Sequence, residues 1–357
     1  MAVAALAACT KSEVEYTNLN EISIAPVASN VTKSVAGYEG NAFDGKFPTD
    51  IDLYVFANAV EGTYSSTNAG SPYFQNAQFE WKAGIGTTTE VENIGAPNNK
   101  TATAGAYAGN PTRYWPNVKT LVFAGYSDAC NVASLSTKPT MNFSTNKLTI
   151  TGYTQDNTKT EEGANDLMWF ACDETEYSKQ ANEVIAKMQH ACSWITINVK
   201  GDASTKGKWI LNSLVVTNFA HTGTATCGTT AATWDSYSKV EPEDYYNAQT
   251  TSTFNPQQGT TFTDQYVEYY KTKANNFIVI PQVPTTLEVT YSYKSDTDIW
   301  FHETKVISLD YDGADGTNTK WQSGVHYIYN LTITATEILI DPVAVNWTTG
   351  TTPDTTI

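Results

Sequence analysis

Period-two alternation of apolar and polar side chains recurs along this chain and restricts its fold more than any other feature. In TTLEVTYSY, Leu287, Val289, Tyr291 and Tyr293 share one face, while Glu288, Thr290 and Ser292 share the other. WITINVK repeats the pattern with Ile195, Ile197 and Val199, and IDLYVF with Ile51, Leu53 and Val55. Successive side chains of a strand point to opposite faces, so such segments predict half-buried strands that need a second layer to cover their apolar side. Near the end, HYIYNLTITATEILIDPVAVNW sets Tyr327, Tyr329, Leu331 and Ile333 on one face, changes phase at Ile338 and Ile340, and resumes with Val343, Val345 and Trp347. That change predicts two strands joined by a bulge or kink. Between the strands lie turn-forming clusters such as EGTYSSTNAGS, HTGTATCGTT and DGADGTNT. Together these features predict an all-β protein built from β-sandwiches with long surface loops. The best helical candidate is SKQANEVIAKMQHA at 178–191, which runs directly into a strand-like segment.

A chain of 357 residues exceeds the common size of one domain, so two units of roughly 150–170 residues are expected. DLMWFACDETEY closes one block of strands and VIAKMQHACSWITINVKGD opens another, which places the join near residue 182. The expected units are therefore 34–182 and 183–357.

Lys and Arg total 21 against 37 Asp and Glu, a formal charge of -16, and no basic block is available to follow a phosphate backbone. This excludes a nucleic-acid partner. No apolar stretch after the N-terminus reaches the ~20 residues that span a bilayer. The N-terminus itself is informative. The run Leu6-Ala7-Ala8-Cys9 ends in small side chains and turns polar at Thr10, as a processing signal does. It matches the lipobox of bacterial lipoproteins, which makes Cys9 the expected lipid attachment site and residues 1–9 the end of a signal peptide. No Lys or Arg precedes the run, which leaves a start upstream of Met1 open.

Cys130, Cys172, Cys192 and Cys227 remain, without the close spacing that chelates zinc. Cys172 and Cys192 border apolar stretches and read as buried thiols, and disulfides in an exported protein are the alternative. The four histidines, His190, His221, His302 and His326, are dispersed, and no HExxH or GxSxG occurs. Asp310, Asp312 and Asp315 lie among glycines but miss the D-x-D-x-D-G calcium pattern by one residue, so they read as an acidic turn. No cofactor, metal or catalytic constellation is expected.

Several separated segments, taken in order, resemble the fimbrillin-like pilins of the Bacteroidales. They are the lipobox, EISIAP followed by VTKSV, IDLYVFA, RYWPNVKTLVFAGYS, NDLMWFAC, VIAKMQHACSWITINV, NFIVIPQ before LEVTYSY, and WQSGVHYIYNLTI followed by VAVNW. The resemblance implies two tandem transthyretin-like β-sandwich domains and export as a lipoprotein. It also implies proteolytic clipping after a first strand, and assembly in which a neighbouring subunit's strand fills the vacated groove. Carried onto this chain, residues 10–33 are the lipid tether and removable strand. NEISIAPVAS is the expelled segment, with Ile22 and Ile24 facing the core and Pro26 ending the pairing. Arg113 is the one arginine and lies far downstream, so Lys33 takes the processing position. Donor residues are sought in the C-terminal strands around 327–347, with Tyr327, Tyr329, Leu331 and Ile333 as candidates. The tail TTGTTPDTTI is too polar for an apolar groove, which leaves stalk, tip, anchor and accessory roles open. The implied partners are other pilin subunits, the outer membrane through the lipid, and a host or bacterial surface ligand. The competing reading is a monomeric surface lipoprotein that binds glycans through exposed members of its 21 Tyr and 9 Trp residues.

Overall fold

The computed structural model describes residues 21–28, 51–83, 105–116, 120–158, 164–171, 184–251, 253–269, 277–283, 285–310 and 321–346. Across them the chain is almost entirely strand. The first ten strands are β1 (Ser23–Ala28), β2 (Leu53–Val60), β3 (Ser71–Ala83), β4 (Gly105–Gly109), β5 (Thr120–Ser127), β6 (Thr140–Asn142), β7 (Lys147–Thr154), β8 (Met168–Phe170), β9 (Val184–His190) and β10 (Ser193–Gly201). They are followed by β11 (Ile210–Cys227), β12 (Ala232–Asn247), β13 (Thr260–Thr261), β14 (Val267–Glu268), β15 (Phe277–Val279), β16 (Thr286–Lys294), β17 (Trp300–Ser308), β18 (Val325–Ile333) and β19 (Ile338–Asn346). One 3-10 segment, Ala129–Ser134, is the only helical element described.

Three hydrogen-bonded units organise the strands. The first is a closed ring in the order β1-β4-β3-β2-β5-β8-β9, with β9 returning to β1. The second runs β14-β10-β18-β19, with β15 also on β10, and the third runs β17-β16-β11-β7-β6, with β12 and β13 also on β11.

Side-chain parity explains how these units pack. In β5, Leu121 and Phe123 point into the ring and join Leu53, Val55 and Phe79, while Val122, Ala124 and Tyr126 point outward. The outward set is not solvated. It packs against Leu148 and Ile150 of β7, Ala225 of β11, Trp234 of β12 and Ile278 of β15. A strand buried on both faces reads as a continuous apolar run, and LVFAGY does. Gly125 sits where β5 meets its neighbours, because a Cβ there would stand 2.6 Å from the Phe170 ring and 2.7 Å from the Tyr54 carbonyl oxygen. The second and third units face each other as a sandwich. Ile195, Ile197 and Val199 of β10 and Tyr327, Tyr329 and Leu331 of β18 meet Leu211 and Leu214 of β11 and Leu287, Val289 and Tyr291 of β16.

Two features differ from the sequence reading. The helix expected at 178–191 is strand β9 over its described part, with Val184, Ala186, Met188 and His190 buried and Ile185 and Lys187 exposed. Residues 178–183 lie outside the described residues. Helix-favouring Ala, Lys, Gln and Met yield here to pairing with β8 and β1. The phase change near Ile338 is a chain reversal, not a bulge. Thr334 donates its backbone N–H to the Glu337 carbonyl at 3.0 Å, and β19 pairs antiparallel with β18. A division at residue 182 falls just ahead of β9, which belongs to the ring, and β7 from the first half extends the sheet of β11.

Candidate functional site

β1 closes the ring. Its Ser23 and Ile24 pair antiparallel with Ala108 and Tyr107 of β4, and from Ile24 to Ala28 it runs parallel to β9, with Ile24 opposite Val184 and Ala28 opposite Met188. Ile22 and Ile24 are both 0% exposed and join the ring core formed by Leu53, Val55, Phe79, Tyr107, Phe123 and Met168. The backbone N–H of Ile22 donates to the Arg113 carbonyl at 2.8 Å.

That bond fixes which way the amides point. Backbone groups alternate sides along a strand, so positions 24 and 26 turn to the same side as Ile22, whose partner Arg113 follows β4 in the chain. The ladder to β4 stops at Ile24 while the ladder to β9 continues to Ala28. Pro26, which lacks an N–H, therefore removes a donor on the side where none is used. Pairing with β9 continues past Pro26 to Ala28, which corrects the expectation that Pro26 ends the pairing.

β1 is held by main-chain hydrogen bonds and alternate apolar side chains, which is how an extended segment recognises a sheet edge. Without β1, the edges of β4 and β9 face each other across a gap lined by the ring core.

Tyr327, Tyr329, Leu331 and Ile333 are buried in β18, which is bonded to β10 on one side and β19 on the other. Tyr329 further donates its O–H to the Leu309 carbonyl at 2.6 Å and accepts from Trp321 Nε1 at 2.8 Å. These side chains fill their own sandwich. The outer strand is β19, whose Ile338, Ile340 and Ala344 are partly buried against the same core. Cys9, Lys33, Cys172, Asp312, Asp315 and the tail beyond Asn346 lie outside the described residues.

The remaining candidates have ordinary surroundings. Cys192 and Cys227 are free thiols, and burial pushes both well up. Cys130 Sγ accepts from the Tyr153 hydroxyl and the Asp156 N–H, each at 3.3 Å. His190 Nδ1 lies 2.7 Å from Asp166 Oδ2 in a buried pair. No sequence pattern marks this pair, because its partners belong to separate segments brought together by β8–β9 pairing. His326 is stacked on Trp194, His221 meets the edge of Phe219, and His302 tilts against Phe254. Asp310 is exposed. Among the described residues no helix is long and apolar enough to cross a membrane.

Aromatic rings stack from the buried Tyr291 to the partly exposed Trp209 and Tyr293 and the exposed Phe301. Trp209 stacks on Tyr291 at 5.4 Å and on Tyr293 at 4.8 Å, and Tyr293 stacks on Phe301 at 5.6 Å.

The sequence pattern of the fimbrillin-like family matches residues 48–347. No curated protein matches the chain. Among solved structures, a fimbrial protein from Bacteroides vulgatus is similar at 14% identity and TM-score 0.55, covering 92% of this chain and 100% of the other. A fimbrial assembly protein from Parabacteroides distasonis is similar at 12% identity and TM-score 0.40, covering 92% and 96%. The tip fimbrial protein Mfa3 from Porphyromonas gingivalis, truncated at its C-terminus, is similar at 9% identity and TM-score 0.41, covering 92% and 99%. Of these three, only the first is near enough to support a shared fold.

Proposed function

This chain belongs to the fimbrillin-like family, and from that premise we propose that it is a structural and adhesive subunit of a cell-surface fimbria, assembled by strand exchange at the seam that β1 occupies. The observation that carries the proposal is the double role of β1. It completes the hydrogen bonding of two otherwise facing edges and fills the ring core with Ile22 and Ile24. A sheet that relies on one terminal strand for closure is suited to replacing that strand with another chain's.

In this reading the chain is exported with a lipid on Cys9, is held at the outer membrane, and is clipped at Lys33. Its two layers are taken as transthyretin-like sandwiches in tandem. Its partners are other fimbrial subunits. The donor is assigned to β19 and the residues after it, not to β18. Removing β18 would strip Tyr327, Tyr329, Leu331 and Ile333 from the subunit's own core, whereas among the described residues β19 is bonded on one side only.

The test is digestion of the purified chain with a lysine-specific protease, followed by mapping of the new N-terminus and sizing with and without a peptide spanning 337–346. Cleavage at Lys33 with loss of the β1 fragment, followed by oligomers or by tight peptide uptake, is the expected result. A clipped protein that remains monomeric and takes up no peptide would overturn the proposal.

A further inference from the structure

The edges of the sheets are not alike. Exposed edge strands invite pairing with other chains, and proteins blunt them with prolines, bulges, charges or brevity. β12 carries Pro242, positive φ at Ser236 and Lys239, and three register shifts against β11. β19 carries Asp341 and Pro342 at its centre. β6, β13, β14 and β15 are only two or three residues long. β17 has no proline, bulge or brevity, and its charges are the opposite pair Glu303 and Lys305. It is nine residues long and pairs with β16 without a break from Trp300↔Lys294 to Ser308↔Thr286. Among the described residues it pairs with no other strand. It also carries Phe301, 44% exposed, and Val306, 60% exposed.

The sequence of this edge is complementary to itself. An antiparallel pair of identical strands has a two-fold axis through one residue, which then faces its own copy. With the axis at Thr304, Glu303 faces Lys305 of the second copy and Lys305 faces its Glu303. Phe301 then faces Ile307, and His302 faces Val306. An axis at Glu303 or Lys305 would set like charges opposite each other, which is unfavourable. An axis at His302 or Val306 aligns neither charge with an opposite one. Glu303 and Lys305 already lie together on one face, Oε2 to Nζ 3.2 Å apart and each half-exposed, and the Tyr291 hydroxyl donates to Glu303 Oε2 at 3.1 Å. The charges are thus in position before any partner arrives.

We propose that β17 is a homotypic docking edge, which pairs antiparallel with β17 of a second copy about an axis at Thr304. The pairing joins the two β16–β17 sheets into one continuous sheet and closes on itself, so it links subunits side by side without propagating. One strand pair buries little area, so the dimer is weak and depends on concentration. The proposal is separate from strand exchange at β1 and is tested on uncut protein, so neither reading's failure counts against the other.

The experiment introduces Thr304→Cys, an exposed position, into the whole chain under mild disulfide exchange with glutathione. Directly opposed residues of antiparallel strands lie about 4.5–5.5 Å apart at Cα, within the range a disulfide bridges. The expected result is a covalent dimer whose mapped linkage is 304 to 304, formed several-fold faster than with Val306→Cys, whose counterpart is His302. Sedimentation then tests the charges. Glu303→Lys or Lys305→Glu alone is expected to weaken dimerisation about tenfold, since each change creates two like-charge pairs, and the double swap is expected to restore it. Equal crosslinking at 304 and 306, a monomer at every concentration, or single charge variants that associate like the parent would overturn the proposal.

Discussion

His326 lies flat against Trp194, with centroids 3.6 Å apart and 3° between the planes, and its Nε2 is 2.9 Å from the Thr196 hydroxyl. Burial drives its pKa down to about 3. Glu268 is the opposite case, since burial pushes its carboxyl up to about 8 while Tyr245 donates to one oxygen at 2.5 Å and the other is buried without a partner. Each group is neutral in the fold across mid-range pH and ionises more readily when unfolded. Between His326's folded pKa and the ordinary histidine value of about 6.5, the unfolded chain binds the extra proton, so stability falls as pH drops through that window. For Glu268 the folded chain holds the extra proton between the ordinary value of 4.5 and about 8, so stability falls as pH rises through that window. The slopes oppose each other from about 4.5 to 6.5. A plateau there is expected, with losses on both sides. Urea titrations across pH check this: Glu268→Gln should flatten the alkaline limb alone and His326→Asn the acid limb alone, and an unchanged alkaline limb in Glu268→Gln would refute the assignment. Ile24→Ala, at a fully buried site, is expected to cost about 2–5 kcal/mol by the same titration.

At the scale of the element, β1 makes the sharper prediction, because two neighbouring positions differ greatly in cost. Pro26→Ala adds an N–H on the side where pairing with β4 has ended and frees the unfolded chain slightly, so a loss of under about 1 kcal/mol is expected. A clear gain in stability would mean that the new N–H finds an acceptor, and that the inferred direction of the backbone is wrong. The alternation that places Ile22 and Ile24 inward was readable in the sequence, as were β10, β16 and β18, because each carries a period of two over a more polar opposite face; β2 was readable from Ile51, Leu53 and Val55 although its far end is buried on both faces. β9 was not readable as a strand. Val184, Ala186 and Met188 do alternate with Ile185 and Lys187, but the residue types favour helix and the deciding pairings to β1 and β8 come from segments about 160 and 20 residues away. The reversal between β18 and β19 was hidden for a related reason. Thr334–Glu337 closes through side-chain and backbone bonds of Thr334, without the Gly or Asn that marks a hairpin in sequence.

In the whole molecule, the ring and the sandwich are joined by more than a linker. The Asn157 amide donates to the Ile278 carbonyl at 3.0 Å and accepts the Ile278 N–H at 3.2 Å, standing in for a strand beside β15. Trp169 of β8 donates to the Gly228 carbonyl at 2.9 Å, and Trp234 of β12 donates to the Ala191 carbonyl at 2.7 Å. One core runs from Phe56 and Tyr126 on the ring to Ile278 and Ile280 beyond it. This coupling follows from contacts far apart in sequence, which no local pattern records. Blocks that share a core and buried amide bonds unfold together, so a single urea transition is expected, coincident by far-ultraviolet circular dichroism and tryptophan fluorescence. Asn157→Ala, which leaves two backbone groups of Ile278 unpaired, should lower stability by about 1–3 kcal/mol. The same coupling extends to the loss of β1. Taking Ile22 and Ile24 from the ring weakens the layer on which β7, β12 and β15 rest, so amide exchange should accelerate in β10 and β18 as well as in β4 and β9. A donor peptide in the seam should restore protection in all four strands. Faster exchange confined to β4 and β9 would show that the ring opens alone, and that the sandwich keeps its stability whether or not the seam is filled.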